Sequence, residues 1–367
     1  MGQEIKCRVV AVGKRRDGGT RYWCLEHRAD ATAKYGRRAK LCRYAHVPAL
    51  TPDEILDLNP SEYKGGVALW GAVPPVYDTT ERPIDRGIHV HARREPDGPK
   101  VIDHTYRAVR LIGGRDGLPA GGLVISELEA IYYMVTSVFG YQMKYVPCTL
   151  CGHPHLDKDW FSVHAHRRHL CAGCGQYFRD EDTAVGNPIM QVREVFGVGA
   201  RPPKRAAKTI NIRQADYPGG IQIWGSNAAF LWTGLKREEE GIHVHGVCKD
   251  GGRDVPDDTF SRVTVDGIKL DPAMVRTLMA QNALPHIAGR VKDVNCPSCG
   301  VGYFDTGEAA FTPHDTYTCG TCGHTFPAKG KLRKTIGNPM VGVLARLAEG
   351  APRPPRKHDL NLLPETL

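Results

Sequence analysis

Apolar and polar residues alternate over Val67–Trp70 and again over Ile221–Trp224, then over Gly87–Ala92 and Gly241–Val247. A period of two predicts strands with one face turned to a core. Glu95–Gly98 and Lys249–Gly252 carry turn residues, so a further strand is expected from Val101 and from Val255. The period then changes. Ser126-Glu-Leu-Glu129 is a capping box ahead of Ile131, Met134, Val135 and Val138. Asp271 with Pro272 opens a second helix carrying Met274, Leu278 and Ala283. Two later helices are expected behind Asn187-Pro188 and Asn338-Pro339. Their apolar stripes are Ile189, Val192, Val195 and Phe196, and Met340, Val343, Leu344 and Leu347. Thr51-Pro-Asp-Glu54 also reads as a helix start, with Ile55 and Leu56 inside and an end before Pro60.

These elements occur in pairs. Tyr63–Val109 aligns with Tyr217–Val263 without a gap, at roughly one identity in three. Gly-Ile-His-Val-His stands at 87–91 and 241–245, Asp103-His-Thr105 matches Asp257-Asp-Thr259, and Gly186-Asn-Pro matches Gly337-Asn-Pro. The basic connectors Arg201-Pro-Pro-Lys204-Arg205 and Arg353-Pro-Pro-Arg356-Lys357 also match. The expected architecture is α+β: two tandem repeats, each a small sheet plus helix, a cysteine module and a closing helix, behind an N-terminal head. The segments are 1–60 for the head, 61–147 and 148–200 for the first repeat, 201–216 for a basic linker, 217–295 and 296–350 for the second repeat, and 351–367 for a basic tail.

The cysteines supply the clearest chemistry. Cys148-Thr-Leu-Cys151 and Cys171-Ala-Gly-Cys174 are separated by the same 19 residues as Cys296-Pro-Ser-Cys299 and Cys319-Gly-Thr-Cys322. Two thiolates at i and i+3 on a tight turn hold one side of a metal ion, and a second such turn completes a tetrahedron of sulfur that suits zinc. Gly152, Gly175, Gly300 and Gly323 each follow the second cysteine, where the backbone turns with positive φ. In these stretches, about 30 residues in each copy, the chain resembles the zinc-ribbon, or rubredoxin-knuckle, class. That resemblance implies structural zinc and leaves the function open. Disulfides would require an oxidising compartment, whereas Met1–Arg16 is polar and basic without the apolar run of an export signal, so a cytoplasmic protein is expected. Zinc deaminase chemistry needs an H-x-E motif, and the chain has none.

The head offers a third ligand set, Cys24, His27, Cys42 and His46; buried thiols and surface histidines explain the same residues. Residues two apart on a strand share a face, so His89 projects with His91, and His243 with His245. With Asp103 or Asp257 from the next strand, each pair has the donors of a catalytic metal site. Packing and hydrogen bonding beside Trp70 and Trp224 is the competing explanation. His166 and His314 lie inside the ribbons but outside the four-thiolate shells.

With 367 residues and 24% charged residues, the chain can fill two or three ordinary domains. The formal charge is +9, and each four-thiolate zinc would subtract about two units from it. Basic clusters at Lys14–Arg16, Arg37-Arg38, Arg93-Arg94, Arg167-Arg168 and Lys329–Lys334 join the two connectors, with Tyr22, Trp23, Trp160, Phe161 and Tyr177 nearby. The reading placed first is therefore a non-enzymatic zinc platform. It would bind nucleic acid, or an acidic partner in a nucleic-acid-handling complex, with Arg201, Lys204, Arg205, Arg353, Arg356 and Lys357 on phosphate. The alternatives are a metal-dependent hydrolase using the His-x-His strands and a protein-interaction scaffold with two similar binding units. No nucleotide-binding glycine loop, nucleophile elbow or H-E-x-x-H motif is present.

Overall fold

The computed structural model describes residues 9–14, 20–24, 29–30, 54–80, 84–113, 116–197, 204–234, 238–247, 254–328 and 334–351. These form a mixed α+β structure with few helices and many small sheets. The chain divides into two compact units. Unit 1 is Met1–Ala72, Arg86–Ala200 and Ala229–Leu235; unit 2 is Val73–Asp85, Arg201–Ala228 and Lys236–Leu367.

In unit 1 an antiparallel sheet runs in the order Leu231–Trp232, Gly66–Ala72, Gly87–Arg93, Lys100–Tyr106. Val67, Leu69, Ile88, Val90 and Ala92 are buried, as the alternation requires. The helix Glu127–Val138 packs on this sheet after its predicted capping box, in which the Glu129 carboxylate accepts from the Ser126 N–H at 3.0 Å. Gly71 permits that packing: a Cβ there would stand 3.0 Å from the backbone of Ala130. A smaller sheet pairs Ala108–Leu111 antiparallel with Leu123–Ser126 and parallel with Ile55–Leu58. The cysteine module follows, with Tyr177–Gly186 pairing antiparallel to His166–Leu170 and parallel to Met143–Lys144. The helix Ile189–Phe196 closes the unit.

Unit 2 has a sheet in the order Asp254–Phe260, Ile242–Val247, Ile221–Gly225, Tyr77–Asp78. Thr209–Ile212, Arg262–Val265 and Ile268–Leu270 form its smaller sheet. Helix Pro272–Asn282 begins where Asp271 accepts from the N–H groups of Ala273 and Met274 at 2.9 and 3.0 Å. It lies so close to the first strand that a Cβ on Gly225 would overlap the Cα of Arg276. The second cysteine module carries the hairpin Thr316–Thr318 with Thr325–Pro327, and Met340–Gly350 is the closing helix.

Both closing helices start one residue later than expected. Asn187 and Asn338 still cap them, their side-chain oxygens accepting from the N–H groups of Ile189 and Met340 at 3.0 and 3.1 Å. One expectation fails: Ile55–Leu58 is a strand, not the interior of a helix. Four residues before a proline cannot repay helix nucleation, whereas a parallel ladder to Ala108–Leu111 buries Leu58 completely. In the head, Val9–Lys14, Thr20–Cys24 and Ala29–Asp30 form a three-stranded antiparallel sheet. Cys24 ends its second strand, and His27, Cys42 and His46 lie outside the described residues. No helix among the described residues is long and apolar enough to cross a membrane.

Candidate metal centres

Each cysteine module brings its four sulfurs together. In unit 1, Cys148 Sγ lies 3.9 Å from Cys174 Sγ, and Cys151 Sγ lies 3.6 Å from Cys171 Sγ. In unit 2 both matching distances, Cys296 to Cys322 and Cys299 to Cys319, are 3.7 Å. A disulfide needs about 2.05 Å. Sulfurs bound at about 2.3 Å around a tetrahedral zinc stand about 3.8 Å apart. The donor set therefore fits zinc at both places. The turns hold this spacing without strain: Gly152, Gly175, Gly300 and Gly323 have φ of 70, 72, 75 and 71°. Each glycine N–H donates to the carbonyl of the first cysteine of its knuckle. Amide groups also aim at the sulfurs, with Leu150 N–H donating to Cys148 Sγ at 3.4 Å and Gly173 N–H to Cys171 Sγ at 3.3 Å. Within the second cluster the thiols pull against one another: the N–H groups of Cys322 and Thr321 bring the Cys319 thiol down, while the neighbouring thiols push Cys299 up.

The His-x-His strands build a second kind of centre. His89 Nε2 lies 2.8 Å from His91 Nε2, and Asp103 Oδ1 lies 3.5 and 3.0 Å from those two atoms. In unit 2, His243 Nε2 lies 2.8 Å from His245 Nε2, and Asp257 Oδ1 lies 3.7 and 3.0 Å from them. Donors on one face of an ion with bonds of about 2.1 Å are separated by about 3.0–3.4 Å, close to both sets. Strand register produces the convergence, because His91 stands opposite Asp103 and His245 opposite Asp257. Thr105 Oγ1 lies 3.0 Å from His89 Nδ1, and Thr259 Oγ1 lies 3.1 Å from His243 Nδ1. With the hydroxyl accepting from Nδ1–H, each Nε2 lone pair faces the cluster. Trp70 and Trp224 set the outer rings edge-on, each with its centroid 5.0 Å from the second histidine of its pair. Burial, Lys100 and His89 lower His91 to about 4 against the pull of Asp103, so it is neutral at pH 7 and able to act as a ligand.

The two clusters differ in their charged neighbours. Lys100 Nζ lies 2.7 Å from Asp103 Oδ2 and 3.3 Å from His91 Nε2. The matching position in the second repeat is Asp254.

A third grouping was missed from sequence. His155, Asp157 and His169 are buried together in unit 1, with His166 beside them. Burial raises the Asp157 carboxyl, but hydrogen bonds from His155, His166 and His169 outweigh it and hold the group well below the usual carboxylate range. The signal available in the sequence was density: His153, His155, His164, His166 and His169 fall between the two knuckles of unit 1, while unit 2 has only His314 there.

Of the residues expected on phosphate, Lys204 and Arg205 are exposed. Lys204 is paired with Glu239 at 3.0 Å. Arg201, Arg353, Arg356 and Lys357 lie outside the described residues.

No family model, curated protein or solved structure matches this chain.

Proposed function

We propose that this chain is a duplicated zinc protein whose four-cysteine centres stabilise two tandem α+β units and whose His-His-Asp clusters are accessible divalent-metal centres with hydrolytic function. The carrying observation is the paired convergence of His89, His91 and Asp103, and of His243, His245 and Asp257, with the same threonine behind the first histidine of each pair. The clusters are partly exposed, as a site for an external substrate must be. His89, His91 and Asp103, or His243, His245 and Asp257, would hold an ion with positions left at which it could polarise water or a substrate oxygen. The chain's own contribution is to fix the imidazoles: threonine sets the tautomer, tryptophan limits ring rotation, and the neighbouring strand presents the carboxylate. Two four-cysteine centres whose sulfurs are not joined as disulfides suit a reducing compartment such as the cytoplasm.

Lys100 places a positive charge against the first cluster, so the second should take metal first. Lys100→Gln is expected to tighten metal binding at the first cluster by roughly tenfold through the lost repulsion. Titrating protein that carries zinc in its thiolate centres alone with Co²⁺, and following nitrogen/oxygen-ligated cobalt by its visible absorption, reads this directly. Unchanged or weaker binding would remove Lys100 as a competitor, and no cobalt binding beyond the thiolate centres would remove the proposal.

A nucleic-acid platform is the second reading, favoured by the surface of the first ribbon. Trp160, Phe161 and Tyr177 are exposed there, with His164 stacked on Trp160 at 3.6 Å and Arg168 lying 4.4 Å over the Tyr177 ring. Such rings can stack on unpaired bases. Trp160→Ala with Tyr177→Ala should weaken binding of a single-stranded oligonucleotide at low salt at least tenfold. Equal binding by parent and variant in a fluorescence-anisotropy titration would exclude those rings.

A further inference from the structure

The geometry points to an additional zinc-type site in the first ribbon, formed by His155, Asp157 and His169 and separate from its four cysteines. Asp157 Oδ2 is already used, accepting from the Gly186 N–H at 2.7 Å. Its Oδ1 faces His155 Nε2 at 2.8 Å and His166 Nε2 at 3.2 Å, while His169 Nδ1 lies between the two oxygens, 3.5 Å from Oδ1 and 3.4 Å from Oδ2. Three imidazoles and the Gly186 N–H thus converge on one buried carboxylate. The remaining nitrogens of two rings, His155 Nδ1 and His169 Nε2, are buried without a hydrogen-bond partner. Those rings therefore engage polar groups only on the side facing Asp157. As a hydrogen-bond network the cluster is under-satisfied, and buried polar groups in that state are costly. A divalent ion among His155 Nε2, Asp157 Oδ1 and His169 Nδ1 would take a lone pair from each of the three donors. His166 stands beside the group, its Nδ1 2.8 Å from the carbonyl of His164 and its Nε2 3.2 Å from Asp157 Oδ1. Two imidazoles and one carboxylate form a buried, nitrogen-rich set that suits zinc.

Unit 2 shows that the ribbon does not need these histidines in order to fold. Asp305 keeps both common contacts, accepting from the Gly337 N–H at 2.6 Å and lying 3.0 Å from His314 Nε2. The positions of His155 and His169 are taken by Tyr303 and Tyr317, whose rings pack at 5.0 Å, and the Tyr317 hydroxyl bonds Thr335. Unit 2 closes this space with aromatic packing, and unit 1 fills the same place with metal-binding side chains.

The test uses the full chain with His89, His91, His243 and His245 changed to alanine, so that the outcome is independent of the strand clusters. After equilibration with buffered zinc, His155→Tyr with His169→Tyr is expected to lose one further equivalent of zinc while both thiolate centres stay filled. Because unit 2 uses tyrosines at these positions, the variant has a packed alternative. An unchanged zinc count in the folded variant overturns the site. If that variant does not fold, ¹¹³Cd-exchanged protein with the two histidines intact decides the matter. A nitrogen/oxygen-ligated cadmium resonance beside the thiolate resonances, lost in Asp157→Asn, supports the site; thiolate-ligated cadmium without such a resonance overturns it.

Discussion

Replacing Cys171 by serine is expected to remove one equivalent of zinc and to unfold the first ribbon. Cys171 is fully buried and packs with Val146, Cys148 and Phe178, so it is at once a sulfur donor and part of a small core. That core is too small to stand alone. Structural zinc binds small folds with about 10–16 kcal/mol of apparent free energy, most of which becomes folding free energy. A serine oxygen at this position both weakens the metal shell and buries a hydroxyl against Phe178. The expected readout is loss of amide-exchange protection in His166–Leu170 and Tyr177–Gly186. Cys319→Ser should do the same to Thr316–Thr318 and Thr325–Pro327, whose core is Cys296, Tyr317 and Phe326. Full zinc content with native protection in either variant would show that the ribbons do not depend on their thiolates.

Asn338→Ala should cost unit 2 about 3–4 kcal/mol, the largest effect expected outside the cysteines. Asn338 is completely buried. Its amide donates to the Met274 carbonyl and to Gln281 Oε1, each at 3.1 Å, while its oxygen caps the closing helix at Met340. Alanine leaves the buried Gln281 Oε1 and Met340 N–H without this partner and removes a bond to the half-buried Met274 carbonyl. Asn187 does the same work in unit 1 with two bonds, to the Glu129 carbonyl at 3.1 Å and from the Ile189 N–H at 3.0 Å. Asn187→Ala is therefore expected to cost less, about 2–3 kcal/mol. Denaturant unfolding of both variants tests the magnitude and the order; equal or negligible losses would mean the asparagines act only as exposed caps.

Much of this was readable before folding was considered. Alternation identified the long strands because each has one buried face, and capping chemistry located the helix starts at Ser126 and Asp271. The His-x-His faces followed from the same period of two. Asp103 and Asp257 were legible as partners because they lie on the next strand of a short hairpin. The failures share a physical cause, the absence of local pattern. Ile55–Leu58 has helix-compatible composition and becomes a strand only through a parallel partner some fifty residues away in the chain. Leu231–Trp232 and Tyr77–Asp78 are two residues long and show no period at all. His169 joins Asp157 because the strand His166–Leu170 pairs with Tyr177–Gly186 and turns His169 inward beside Phe178. Sequence spacing does not encode that turn.

Whether the strand histidines hold metal is decided by metal content per chain, measured by elemental analysis after equilibration with saturating buffered zinc. The comparison is between the unsubstituted protein and the variant in which His89, His91, His243 and His245 are all alanine, and circular dichroism establishes that the variant is folded. A fall of two equivalents is expected, one for each strand cluster, with the thiolate-bound zinc unchanged. Equal metal content in the two folded proteins would contradict the metal-centre reading and leave the paired histidines as packing and hydrogen-bonding groups.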